Sequence, residues 1–135
     1  MADGTAERPA AERAGELLTA ADLDAAAPDA AGLGERATLV QFSSAFCRPC
    51  TATRRILADV AGMVAGVTYV DVDAESHLGL VRRLKVERTP TVLVLDADGR
   101  VVRRATGLPR KADVIAALGA AVPGEPAGRG GAEVA

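Results

Sequence analysis

From residue 38 to residue 122 the chain alternates short apolar runs with stretches whose apolar side chains recur every three or four positions. TLVQF at 38–42 is a run of strand length, and in the segment 50–64 Ile56, Leu57, Val60 and Val64 fall at helical spacing. VTYVDV at 67–72 is rich in β-branched residues, with Asp71 breaking the run, and 75–84 predicts a second helix with Leu78, Val81 and Leu84 on one face. TVLVL at 91–95 and RVVRRA at 100–105 flank DADG, whose Asp98-Gly99 pair suits the positive φ angles of a hairpin turn. These two strands are expected as antiparallel neighbours. Residues 110–122 close the pattern with Val114, Ile115, Leu118 and Val122 on one helical face.

Strand, helix, strand, helix, hairpin, helix predicts an α/β fold with a central mixed sheet of about four or five strands and helices on both faces. The expected domain runs over 17–122, with its core at 36–122. Within 17–36, Pro28 and Gly32 interrupt any long helix and leave room for a short strand and a helical turn. Residues 1–16 lack periodicity and 123–135 form a Pro/Gly-rich tail, so both ends are expected to be disordered.

Composition narrows the partners. The chain has 135 residues, a length that fits one domain. Its 49% hydrophobic content is largely alanine and aliphatic, with Phe42, Phe46 and Tyr69 as the only aromatic residues, so aliphatic side chains must build the core. A net charge of -2 supplies no overall field for nucleic acid or anionic lipid, and neither is expected as a partner. No run approaches the roughly 18 apolar residues that span a bilayer, and the first residues lack the apolar segment of a secretory signal. The cytoplasm is therefore the expected compartment, and there a CxxC is more often catalytic or metal-binding than a structural staple.

FSSAFCRPCTATRRIL, at 42–57, holds both cysteines, Cys47 and Cys50. They stand after a buried strand and at the opening of a helix, where unpaired backbone N–H groups and the helix dipole favour a thiolate. Pro49 falls in the first helical turn, where its missing N–H costs little. Lowering a free thiol's pKa from about 8.5 by about two units favours the thiolate by roughly 2.7 kcal/mol, and the neighbouring Arg48 cation pushes the same way. Cys50, one turn on and on the same side, can close a short disulfide with Cys47. In that reading Cys47 is the attacking sulfur and Cys50 the resolving one. Two other readings stay open. A tetrahedral zinc site needs more ligands than Cys47, Cys50 and the lone His77 provide and would require two copies of the pair, and the two thiols could also be merely packed. His77 itself reads as a solvated side chain on a surface helix.

With TPT at 89–91 before a later strand, FCRPC after a buried strand resembles the thioredoxin family over roughly residues 36–122. The resemblance implies a cis peptide before Pro90, packed beside the cysteines, and a Thr89 backbone that pairs with an extended stretch of substrate; otherwise Pro90 is an ordinary strand-opening proline. It also implies that Phe46, Arg48, Pro49, Arg88 and Gly107 border the substrate. The implied activity is thiol-disulfide exchange with disulfide-containing protein substrates. No bound cofactor is expected, a separate reductase is the electron donor because no dinucleotide-binding glycine pattern occurs, and a monomer is expected.

Several positions depart from the family pattern. Phe46 stands where tryptophan is usual, Ser43 replaces a common aromatic, and Gln41 replaces a buried aspartate that helps move the resolving cysteine's proton. Tyr69 corresponds to the lysine that commonly partners that aspartate, so both ionisable members change together. Arg88 stands where the family is usually small or apolar, and with Arg48 it would favour partners acidic near their disulfide, unless it is a simple solvated loop residue. The alternative function is a non-catalytic binding module or redox sensor on the same fold.

Overall fold

The computed structural model describes residues 16–30 and 32–122. The expected disordered tails lie outside the described residues except for Glu16, whose carbonyl accepts a hydrogen bond from the Val101 amide at 2.9 Å.

In chain order the elements are α1 (Ala20–Ala26), β1 (Ala37–Ser43), α2 (Arg48–Met63), β2 (Val67–Asp73), a 3-10 turn (Ala74–Ser76), α3 (Leu78–Arg83), β3 (Thr91–Asp96), β4 (Val101–Thr106) and α4 (Lys111–Ala121). The strands form one mixed sheet in the order β2-β1-β3-β4. β1 runs parallel to β2 and antiparallel to β3, and β3 runs antiparallel to β4. A parallel neighbour needs a crossover, and α2 provides it.

All seven residues of β1 are buried, as a central strand covered on both faces requires. Its alternation splits the core in two. Val40 and Phe42 join Val70, Val72, Leu93 and Leu95 beneath α1 and α3, with Leu23 and Leu84 packed on them. Ala37 and Leu39 join Val92 and Val94 beneath α2 and α4, against Leu57, Val60, Val114 and Leu118. Period-two alternation thus sends consecutive side chains into opposite layers.

Some boundaries and faces differ from those the sequence predicts. The expected short strand near residue 17 is a single bridge, Leu17 to Arg100, and the helical turn is α1, closed by a capping box in which Thr19 and Asp22 exchange backbone bonds. The helix expected over 75–84 divides at His77, because Asp73 captures the Glu75 amide and the Ser76 hydroxyl and starts a separate 3-10 turn. His77 accordingly sits at the junction, its Nδ1 3.0 Å from the Asp73 carbonyl, rather than on a helix surface. Leu78 and Ile115, assigned to buried faces, are exposed, while Leu80 packs against one core layer and Ala121 is buried in the other. At the hairpin only Gly99 has a positive φ, +91°, and Asp98 does not. The turn is longer than two residues and is organised by Asp96, whose carboxylate accepts the Asp98 and Arg100 amides. A side chain at Gly99 would collide with the Leu18 carbonyl oxygen, so the close approach of the two backbones needs glycine there.

Candidate active site

β1 ends at Ser43, and the chain turns through Ser44–Phe46 into α2. Cys47 is the N-cap of that helix and Pro49 lies in its first turn. The Cys47 Sγ accepts the Cys50 amide at 3.2 Å, so one of the orphan N–H groups of the helix start points at the sulfur. Cys47 and Cys50 are joined in a disulfide, with Cα atoms 5.2 Å apart. Burial distinguishes the two: Cys47 is partly exposed, whereas Cys50 is 1% exposed. Phe46, just before Cys47, is fully exposed and adopts a left-handed backbone, φ +62°, uncommon for a bulky residue.

A cleft of about 470 Å³ opens beside the sulfur, lined by Ser44, Phe46, Cys47, Arg48, Thr51 and Arg54. The Thr89–Pro90 peptide is cis. A hydroxyl bridge of 2.8 Å between Ser44 and Thr89 ties the segment before the cysteines to the residue before Pro90. Thr91 Oγ1 donates to the Arg88 carbonyl, and Gly107, at φ +89°, donates its amide to the Pro90 carbonyl at 2.9 Å. Among the described residues the Thr89 backbone N–H and C=O make no hydrogen bond. The structure therefore brings Phe46, Arg48, Pro49, Thr89, Pro90 and Gly107 to one end of the sheet, with Arg88 exposed on the loop that leads into Pro90.

Behind Cys50 the polar groups partner one another. Gln41 is fully buried; its Nε2 donates to the Cys50 carbonyl at 2.9 Å and its Oε1 accepts from the Tyr69 hydroxyl at 2.8 Å. Burial of the phenol, reinforced by the nearby Asp71 charge, holds Tyr69 neutral well above the usual phenol range. Asp71 in turn accepts Ser43 Oγ at 2.6 Å and Arg54 Nε at 2.9 Å. The Asp71 carboxylate holds the Arg54 guanidinium above its ordinary pKa.

Sequence reasoning paired Gln41 with Tyr69 but missed Ser44, Arg54 and Asp71. Strand parity could have found Asp71, which shares a face with Tyr69 two residues earlier; nothing local marks Ser44, whose partner is 45 residues away. For zinc, no group of three or more potential ligands occurs among the described residues.

A mixed sheet with helices on both faces, and a CxxC pair capping the helix after its central strand, define a thioredoxin fold. The chain belongs to the thioredoxin-like domain family, whose model matches residues 23–122. Among solved structures it is similar to a mutant thioredoxin from Halobacterium salinarum, with TM-score 0.62 and 18% identity over 68% of this chain and 80% of that one. A Fasciola hepatica thioredoxin matches with TM-score 0.57 and 20% identity over 65% of this chain and 83% of that one. Among curated proteins, thioredoxin H2-2 of Oryza sativa subsp. japonica is 32% identical over 69 residues, 51% of each chain. Thioredoxin H-type 1 of Nicotiana tabacum is 30% identical over 73 residues, 54% of this chain and 57% of its own. The chain thus spans about half the length of the curated relatives it matches. Family membership and the cysteine pair together point to thiol-disulfide redox chemistry. No described helix is long and apolar enough to cross a membrane.

Proposed function

We propose that the protein is a thiol-disulfide oxidoreductase that reduces disulfides in protein substrates through Cys47 and Cys50. The observation that carries the reading is the asymmetry of the pair: a partly exposed sulfur at a helix N-cap, bonded to a buried partner. In the reduced protein the Cys50 amide, which points at Cys47 Sγ in the disulfide form, favours the Cys47 thiolate, and that thiolate attacks one sulfur of a substrate disulfide. The Cys47–substrate bond forms, the substrate S–S bond breaks, and the displaced substrate sulfur leaves as a thiolate. Cys50 then loses its proton and attacks Cys47 Sγ, which expels the second substrate sulfur. Two electrons pass from the dithiol to the substrate, whose thiolates take up protons as pH dictates. A separate reductase or dithiol returns the pair to its reduced form, which fits a monomer working in a reducing compartment such as the cytoplasm.

The groove supports this reading. Phe46 and Pro49 offer apolar surface beside Cys47, and the unpaired Thr89 N–H and C=O can extend a backbone ladder to a substrate strand. Arg48 and Arg88 border the groove, and Gly107 leaves its rim without a side chain.

A second reading, a binding module or redox sensor, is favoured by one feature: the buried partner of Cys50 is the amide of Gln41, which cannot serve as a base. Insulin reduction with dithiothreitol separates the two. The parent protein is expected to turn over and Cys47→Ser to lose essentially all of that turnover. Equal, near-background rates for both would establish the sensor.

A further inference from the structure

Charge around the reactive sulfur is not evenly compensated. Arg54 is paired with Asp71, Arg83 with Asp22 and Lys111 with Asp59. Arg48, directly after Cys47, and Arg88, two residues before Pro90, have side chains with no ion-pair or hydrogen-bond partner among the described residues. Arg88 also lines a shallow depression of about 460 Å³ with Lys85, Glu87, Thr91, Arg104 and Thr106. The Arg104 guanidinium donates to the carbonyls of Leu84 and Lys85, which are neutral and leave its charge standing. Three cations there face one carboxylate, Glu87. At the end of β2 the sign reverses: Asp73 caps the turn that follows that strand and Glu75 lies within it, both exposed.

We propose that the preferred substrates are polypeptide segments with carboxylates flanking the reactive disulfide, oriented so that the acidic residues lie over Arg48 and the Lys85–Arg88–Arg104 depression. This rests on the disulfide-exchange reading and adds its substrate class. The Ser44–Thr89 hydroxyl bridge joins the two halves of the surface, since Ser44 lines the cleft at Cys47 and Arg88, next to Thr89, lines the depression. A segment paired along Thr89 can then reach both the cleft at Cys47 and the depression that Arg88 lines. Exposed cations of this kind act mainly on the encounter rate, and their effect fades as ionic strength shrinks the Debye length to about 8 Å and below.

Single-turnover reduction tests it without any regenerating reductant. Fully reduced protein, freed of small thiols, is mixed with matched peptides that carry the same disulfide flanked by Glu, Gln or Lys, and peptide thiol is followed against time. At low salt the Glu peptide is expected to be reduced about tenfold faster than the Lys peptide, the ratio shrinking severalfold at high salt. Arg88→Glu should erase or invert that order, whereas Arg82→Gln, which changes an exposed arginine lining neither depression, should keep it. Equal rates for the three peptides at low salt, or an order that survives Arg88→Glu, overturns the substrate class while leaving exchange intact. No thiol released from any peptide overturns the exchange reading beneath it.

Discussion

Gln41→Glu swaps an amide for a carboxyl of nearly the same shape at a site with no solvent exposure. The neutral acid can reproduce both existing bonds, donating to the Cys50 carbonyl and accepting from the Tyr69 hydroxyl. The carboxylate cannot donate, so it sets an acceptor against the Cys50 carbonyl and buries a charge whose only donor is the phenol. Burial therefore raises the folded-state pKa of the new group. With an unfolded value of about 4.3 and a rise of about 3 units, the ionised variant is less stable than the parent by about 4 kcal/mol. Below about pH 4 both states of the variant keep the proton and the loss shrinks to under about 1 kcal/mol. Between those limits the unfolded chain binds fewer protons than the folded one, so stability falls by about 1.4 kcal/mol per pH unit. A domain of this size holds only about 5–15 kcal/mol in all, so the difference is easily read from urea midpoints of the oxidised variant and parent at about pH 4 and pH 8. A deficit of the same size at both pH values would refute the reasoning, because it would mean the side chain does not depend on donating to Cys50.

Three further outcomes follow from the same kinds of contact. Tyr69 is the chain's one tyrosine and there is no tryptophan, so phenolate absorbance reports it alone; it should titrate above the ordinary value of about 10, and the stability it contributes, complete below that value, should be lost as pH climbs toward the folded pKa. An ordinary titration would place the phenol in water. Thr19→Ala removes the cap of α1 and should cost about 1 kcal/mol in denaturant unfolding. Asp22, whose pKa is lowered chiefly by its bond to Arg83, contributes stability above the unfolded value of about 3.9 that is lost as pH falls through the lower folded one; Arg83→Gln should flatten that acid limb.

The order of elements was legible because each run carried its own period: TLVQF in β1 is a short, mostly apolar run and α2 repeats at three and four. The cysteine pair was legible because spacing and position, after a buried strand and at a helix start, make the same demand. Coverage was not legible. Periodicity identifies a helical face but not how far a neighbour extends over it, which is why Leu78 and Ile115 end up exposed. Nor does local sequence reveal contacts made by chain return: the Ser44–Thr89 bridge and the Arg54–Asp71 pair join residues far apart in sequence and depend on the sheet's register. The left-handed Phe46 had no signal either, since aromatic residues rarely occupy that conformation.

Register also explains the chemistry behind the disulfide. Odd-numbered positions of β1 face α2 and α4, so Leu39, Gln41 and Ser43 form a file that begins apolar and ends polar beneath Cys50. Leu39 pairs with Tyr69 and Gln41 with Asp71, which sets the phenol diagonally across from the amide and within its reach. The polar groups along that file then partner one another: Gln41 with the Cys50 carbonyl, Tyr69 with Gln41, Ser43 with Asp71 and Arg54 with Asp71. Among the described residues no ionisable group other than Cys47 itself is bonded to Cys50. If the pair turns over as proposed, the proton that Cys50 must release has no acceptor on its buried side, and it leaves by way of Cys47, the substrate thiolate or water at the cleft. The pH dependence of resolution would then follow the two thiols and the substrate, with no separate inflection from a buried carboxyl, and a substrate whose leaving sulfur has the lower pKa would speed the step.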